Sequence, residues 1–382
     1  MDPSFQFYVP TRFFCGEIND FADEFGGDAN GIYAKRALVV TGKSSARNGA
    51  LDDVLCVLQK NGIKAEVFDQ VEENPSIENA VKGGEIGRAF GAGLICAIGG
   101  GSPLDAAKAV MLLTANPEMT ADDLYSQNKP SRRLPVLAVP TTAGTGSEAT
   151  PYSILTRHDK QTKQSIPHLA YPDKAFLNAG YTAGLPDAVT ISTAVDALTH
   201  LVEGYLSVKT NPFTDRLAEG GLAVFKRLLP LIMRREFDMG TRRELLVTAS
   251  VAGMVISTTK TSLPHQMGYA LTYHKGIPHG AACGLLLGGY LRLLGRCAFE
   301  GSFTDKPHPN EKTSRVLELI GLSDIDELHE ALLTLLGVHL TLSEEEIASY
   351  TRALMDNPKI FLVFPFGFSH GDIEAIYRQA LL

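Results

Sequence analysis

The first half of the chain alternates two hydrophobic rhythms. A-L-V-V-T at 37–41 is a short apolar, β-branched run, and A-L-D-D-V-L-C-V-L-Q-K after it sets apolar residues at helical spacing before an N-G stop. K-A-E-V-F-D, G-L-I-C-A-I-G and L-P-V-L-A-V-P read as further strands, with I-E-N-A-V-K-G-G-E-I and P-L-D-A-A-K-A-V-M-L-L as helices between them. Such alternation predicts βαβ units and a parallel, doubly wound sheet. Beyond residue 185 the rhythm changes: T-D-R-L-A-E-G-G-L-A-V-F-K-R-L-L-P and R-R-E-L-L-V-T-A-S-V-A-G-M-V-I carry helical periodicity and few strand signals. The reading is an α/β domain over residues 1–185 followed by an all-helical domain over residues 186–382.

Composition narrows the class. With 382 residues there is room for two cores, and 45% hydrophobic with 20% charged residues is a globular composition. A net charge of −8 argues against a nucleic-acid partner or a polybasic membrane anchor. No apolar run approaches the ~20 residues that span a bilayer. M-D-P-S-F-Q-F-Y has no secretory character, and the five cysteines (Cys15, Cys56, Cys96, Cys283, Cys297) are odd in number, with no C-x-x-C. The expectation is a cytoplasmic protein with reduced, mainly buried thiols.

Three glycine-rich stretches invite a nucleotide reading. T-G-K-S-S at 41–45 resembles the end of a P-loop but has Ala37 where that motif needs a glycine, so it is set aside. G-T-G-S-E-A at 144–149 matches G-x-G-x-x-A but has no convincing acidic residue about 20 positions on, and a plain tight turn explains it equally well. I-G-G-G-S-P-L-D-A-A-K says more. A strand ends in Gly99, Gly100, Gly101 and Ser102, Pro103 opens a helix at its first position, and Asp105 falls in the first turn, where it would help to cap. Glycines let a diphosphate approach the backbone, and the N-terminal end of the helix favours an anion.

The second half offers V-D-A-L-T-H, in which Asp196 and His200 stand one helical turn apart in an apolar segment. S-L-P-H-Q-M-G-Y and G-I-P-H-G add His265 and His279, each after a proline at a helix start. Three imidazoles and a carboxylate suit Fe²⁺ or Zn²⁺ and are too rich in nitrogen for Mg²⁺ or Ca²⁺. On spacing alone, a satisfied pair in a helical core remains an equal reading.

G-G-G-S-P-L-D-A-A-K, P-T-T-A-G-T-G-S-E, D-A-L-T-H-L-V-E-G-Y and the paired H-x₁₃-H, in that order, resemble the iron-containing alcohol dehydrogenase family over essentially the whole chain. The resemblance implies a Rossmann-like domain and a helical domain of dehydroquinate synthase-like architecture, with an active site in the cleft between them. It implies that Asp196, His200, His265 and His279 hold one metal, and that Thr141, Thr142, Thr145, Ser147 and Lys163 join Gly99, Gly100, Gly101, Ser102 and Asp105 around the nucleotide. It also implies a homodimer. Many members carry a histidine four residues after the third ligand, proposed to handle a proton; here that residue is Tyr269, which leaves Tyr269, His274 or solvent for the role. The remaining histidines, His158, His168, His308, His329, His339 and His370, read as surface residues.

Family members that use NAD often carry aspartate at the end of the first strand. This chain has Gly42 followed by Lys43 and Ser44, with Arg47 beyond, which would remove a repulsion and offer cations and hydroxyls to a 2′-phosphate. The function expected is a metal-dependent oxidoreductase that prefers NADP(H) over NAD(H) and interconverts a small primary alcohol or diol with its aldehyde. The alternatives are a glycerol dehydrogenase-like or dehydroquinate synthase-like enzyme and, from another class, a non-catalytic nucleotide sensor.

Overall fold

The structure is a computed structural model that describes residues 4–26, 34–126, 130–296, 309–357, 360, 363–364 and 367–381. Cys297 and His308 lie outside the described residues. The chain divides into two compact units, Val9–Leu185 and Pro186–Leu382, and the described residues of Met1–Tyr8 belong with the second. They are the departure from a domain running 1–185: the rings of Phe5 and Phe7 pack on Phe213, each with centroids 5.9 Å apart.

The first unit is built on strands β1 (Arg12–Cys15), β2 (Arg36–Thr41), β3 (Lys64–Phe68), β4 (Leu94–Gly99), β5 (Val136–Pro140) and β8 (Lys174–Leu177). They form one sheet in the order β1-β8-β5-β4-β2-β3, every pair parallel. A separate antiparallel pair joins β6 (Ile154–Arg157) to β7 (Thr162–Ser165). Helices α1 (Ala50–Lys60), α2 (Ile77–Phe90) and α3 (Gly101–Ala115) fill the crossovers. The two-residue period of a strand splits the core: Leu38, Val40, Ile95, Ala97, Val136 and Ala138 face the layer of α2 and α3, while Ala37, Val39, Cys96, Ile98, Leu137 and Val139 face that of α1. Covering both faces is why these strands read as unbroken apolar runs.

Strand β2 has β3 on one side and β4 on the other, so the winding reverses there. In open α/β sheets the crevice at the carboxyl ends beside such a reversal is where ligands bind. Residues 42, 99–102 and 141 all follow the ends of β2, β4 and β5, which the register aligns (Thr41 opposite Ile98, Gly99 opposite Pro140).

The second unit contains helices α4 (Asp187–Leu206), α5 (Pro212–Met233), α6 (Met239–Thr259), α7 (Leu263–Lys275), α8 (His279–Arg296), α9 (Pro309–Ile320), α10 (Ile325–Leu336), α11 (Glu344–Met355) and α12 (His370–Gln379), with no strand among its described residues. Helix α4 runs through its middle, against α5, α6 and α8, and is buried almost all round from Thr190 to Leu206. A helix apolar on every side belongs in a core. No helix among the described residues is long and apolar enough to cross a membrane.

Candidate metal centre and nucleotide turn

Beyond its first turn, the acidic and basic residues of helix α4 form one stripe. Asp196, His200 and Glu203, at i, i+4 and i+7, point the same way and are all buried. Helix α8 is laid onto this stripe by two glycines. A Cβ at Gly280 would stand 2.0 Å from the Ser192 carbonyl oxygen and 2.8 Å from Asp196 Cβ, and one at Gly284 would stand 2.4 Å from Val195 Cγ1. Ser192 Oγ accepts the Ala281 N–H at 3.1 Å. This approach, open only to residues without a side chain, carries His279, the first residue of α8, to Asp196. His265 arrives from the first turn of α7, where Pro264 occupies a position that needs no N–H.

The groups then meet. His265 Nε2 lies 3.4 Å from Asp196 Oδ1, and both atoms are buried without a hydrogen-bond partner. The His200 ring stacks on His265 with centroids 4.2 Å apart, and His279 meets His265 edge-on at 5.3 Å. One ligand atom each from Asp196, His265, His279 and Cys283 lie within 4.8 Å of one another. Two orphaned buried atoms facing each other are costly unless something lies between them. A borderline divalent cation fits that donor set.

The electrostatics agree. Burial raises the pKa of Asp196, but His200, His265 and His279 outweigh it and hold the carboxyl well below its ordinary range. Burial disfavours the imidazolium of His265, yet Cys283 and the carboxylates of Glu203 and Asp196 pull its pKa well above the ordinary value. Burial also pushes the Cys283 thiol up to about 11, so near neutral pH it is the two carboxylates that act on His265.

Cys283 and Glu203 were not among the residues singled out from the sequence. Cys283 stands one turn after His279, with Sγ 3.8 and 4.0 Å from its ring nitrogens. Glu203 bonds the other side of His265, and its signal was the third member of the polar stripe. Tyr269 does reach the cluster, its ring stacked on His279 with centroids 5.4 Å apart. His274 does not: nine residues after His265, it stands about 180° round α7, exposed and stacked on Tyr350 at 5.1 Å.

Residues expected around the nucleotide gather in the other unit, with changes of detail. Gly99 has φ 145°, a conformation for glycine. A Cβ at Gly100 would stand 2.9 Å from Thr142 Oγ1, and one at Gly101 2.5 Å from Thr145 Cγ2. The glycine turn is thus packed on the T-T-A-G-T-G turn, and the Thr141 N–H bonds the Gly99 carbonyl at 2.9 Å. Ser102 Oγ accepts the Asn74 N–H at 3.1 Å. Helix α3 begins at Gly101 rather than Pro103, which places Asp105 beyond the first turn and out of capping reach. Instead Asp105 accepts bonds from the Ser147 hydroxyl and the Ile154 N–H, and feels the charge of Lys163. Lys108, fully buried, donates to the Ser147 carbonyl and hydroxyl and to the Tyr152 carbonyl at 2.6–2.8 Å. Burial pushes its pKa down to about 8 against the pull of Asp105 and Glu148. At the end of β2, Gly42 is buried while Lys43, Ser44 and Arg47 are exposed.

Some surface assignments change. His158, His339 and His370 are exposed, but His168 and His329 are buried, His329 because Gly288 leaves room (a Cβ there would be 2.5 Å from Nδ1). Of the described cysteines, Cys96 and Cys283 are buried and Cys15 and Cys56 exposed, with no disulfide among them.

Comparison with known proteins points one way. Residues 10–179 match the family model for iron-containing alcohol dehydrogenase, and residues 190–381 match that of the C-terminal region of the same family. The chain is 41% identical over 194 residues to a probable alcohol dehydrogenase, EutG, of Escherichia coli, a match covering 50% of this chain and 49% of that protein, so it spans about half the length of such a relative. It is 32% identical over 270 residues to the NADPH-dependent butanol dehydrogenase of Clostridium saccharobutylicum, covering 70% and 69% of the two chains. The crystal structure of an iron-containing alcohol dehydrogenase from Thermotoga maritima superposes with a TM-score of 0.87 at 38% identity, over 99% of both chains.

Gly280→Ala is expected to destabilise the helical unit, at the upper end of the ~1–3 kcal/mol of an overpacked core site, and to lower metal occupancy with it. Thermal unfolding and metal analysis check this; a variant as stable and as metal-rich as wild type would show that α8 has room to move off α4.

Proposed function

The chain belongs to the iron-containing alcohol dehydrogenase family, and from that premise we propose that it is a metal-dependent oxidoreductase interconverting a small primary alcohol or diol and its aldehyde, with NADP(H) preferred to NAD(H). The observation that carries the reading is the pair of buried, unbonded atoms, His265 Nε2 and Asp196 Oδ1, 3.4 Å apart within a ring of imidazoles. Asp196, His200, His265 and His279 would hold Fe²⁺, or Zn²⁺, which the same ligand types accept. When bound, the metal supplies Lewis acidity toward an oxygen that gains negative charge, and the nicotinamide carries the hydride chemistry.

The chain's own residues do the rest. Asp196 offers a carboxylate kept ionised by its neighbours, and a bound cation would take the imidazole nitrogens in their deprotonated form, in a site where electrostatic interactions are strong. Tyr269, its ring stacked on His279, would hold or pass a proton. Gly99, Gly100, Gly101 and Ser102 would admit the pyrophosphate at the start of α3, with Thr141, Thr142, Thr145, Ser147, Asp105 and Lys163 forming the wall beside it. Lys43 and Ser44, with Arg47, would receive a 2′-phosphate beside Gly42. Support for the NADP(H) preference comes from the missing carboxylate at Gly42, together with the NADPH dependence of the butanol dehydrogenase relative.

His265→Ala is expected to lose bound metal and turnover together, while coenzyme binding survives because the glycine turn belongs to the other unit. Metal content and coenzyme titration of the purified variant check this; full activity at unchanged metal stoichiometry would remove His265 from the site.

Gly42→Asp is expected to shift preference towards NAD(H). A Cβ at Gly42 would stand 3.3 Å from the Val71 carbonyl oxygen, a contact relieved by a few tenths of an ångström. The new carboxylate would accept from a 2′-hydroxyl and repel a 2′-phosphate. Losing a charge-assisted contact costs ~1.5–3 kcal/mol, which is about one to two decades of affinity at ~1.4 kcal/mol each. The measurement is the ratio of kcat/KM for NADPH to that for NADH. A wild type that already prefers NADH, or an unmoved ratio, would reduce Gly42 to a turn residue.

A further inference from the structure

Glu203 is the one group of the polar stripe on α4 with no part in the ligand set, and its carboxylate is completely buried. All its visible bonds go to one target, the start of α7. Oε1 accepts the Ser262 N–H at 3.1 Å and the His265 N–H at 3.3 Å, and Oε2 accepts from His265 Nδ1 in a close hydrogen bond. Helix α7 has no cap of its own, since the side chain of Ser262, at the N-cap position, accepts nothing from the first turn. A helix start needs acceptors for its first N–H groups and favours negative charge. Glu203 supplies both from a neighbouring helix.

The second oxygen does something a cap alone does not require. A carboxylate only accepts, so the Nδ1 facing it carries the proton. In the neutral ring that metal binding requires, this fixes the tautomer: Nε2 keeps its lone pair, and Nε2 is the atom directed at Asp196 Oδ1. The same contact sets the ring plane and makes Nε2 a stronger donor. The stripe also brings two carboxylates to the two ring nitrogens of His265, Asp196 to Nε2 and Glu203 to Nδ1, a charge of −2 that a divalent cation would balance.

From this geometry we propose that Glu203 is a positioning residue for the metal, acting through His265: it places the α7 turn and fixes the ring as the Nδ1–H tautomer. The role rests on the metal reading of the site. It explains why the position needs glutamate and not its isostere. Glutamine has one accepting oxygen and one donating amide nitrogen, while the site presents donors to both ends. If the amide nitrogen faces the backbone N–H groups, the α7 turn loses its cap. If it faces Nδ1, the imidazole proton moves to Nε2 and blocks the ligand atom.

Glu203→Gln, prepared metal-free and titrated with Zn²⁺ against a competing chelator, tests the proposal. Zn²⁺ affinity is expected to fall about 10- to 100-fold, the usual effect of removing such a partner. The rise in unfolding temperature on adding Zn²⁺ is expected to shrink. A purely structural carboxylate would instead lower the unfolding temperatures of the metal-free and Zn²⁺-loaded proteins alike, and that outcome would overturn the proposal. So would a Zn²⁺ affinity within about threefold of wild type, well short of the usual effect. Should the variant not fold, ¹⁵N spectra of Zn²⁺-loaded wild type decide: His265 protonated at Nδ1 and ligated through Nε2 supports the role, and ligation through Nδ1 overturns it. Wild type that takes up no Zn²⁺, Fe²⁺ or Co²⁺ would overturn the metal reading and this role together, whereas normal uptake by both proteins overturns this role alone.

Discussion

The helical unit is organised around a charge that has to be buried. Asp196 and Glu203 sit on the most enclosed helix of the unit, both shielded from water. A lone carboxylate in an apolar core is among the most costly groups a fold can hold, and it persists only with partners on every side. For Glu203 these are two backbone N–H groups and an imidazole N–H. For Asp196 they are His200, His265 and His279, brought from three different helices and leaving one oxygen unbonded. Satisfying α4 therefore dictates where α7 and α8 begin, and the cluster of imidazoles around Asp196 is the consequence.

Glycine is what makes that crowding possible, and it has different meanings at different places. At Gly280 and Gly284 it permits helix-on-helix approach, with no unusual backbone angle. At Gly99 the backbone itself is in a conformation closed to other residues. At Gly100 and Gly101 the space a Cβ would fill belongs to Thr142 and Thr145. The sequence reading took all three glycines of that turn as room for a diphosphate. The structure gives two of them a prior duty, that of seating the T-T-A-G-T-G turn, so loss of coenzyme binding on enlarging Gly101 would follow from a displaced Thr145 as readily as from a blocked phosphate.

How far the sequence reached follows from the range of each signal. Strand and helix alternation is written in local periodicity, which is why the doubly wound sheet and the helical second half were legible. The long motif blocks carried the family. What stayed hidden were contacts between residues far apart in the chain. Asp105 looks like a cap because it follows a helix start, but its hydrogen-bond donors lie more than 40 residues on, in Ser147 and Ile154. Lys108 looks like a surface lysine on an amphipathic helix, yet α3 has no solvent face there. His329 and His168 look like surface histidines, and the glycine that admits His329 lies in a different helix. His274 shared a short motif with His279 but stands on the outer side of its helix.

Glu203 is the instructive omission, because its signal was local. A helix that is buried on nearly every side and carries acid, imidazole and acid at i, i+4 and i+7 has a line of charged groups along it. Two members of that line were read as ligands and the third as part of a motif. Yet a buried stripe cannot contain an idle charge: each member must face something that balances it. Applied to α4, that rule asks what Glu203 faces, and the donors that reach it are the Ser262 and His265 N–H groups and His265 Nδ1. Reading polar positions on a buried helix as one set, rather than one residue at a time, finds Glu203 behind His265 along with Asp196 in front of it.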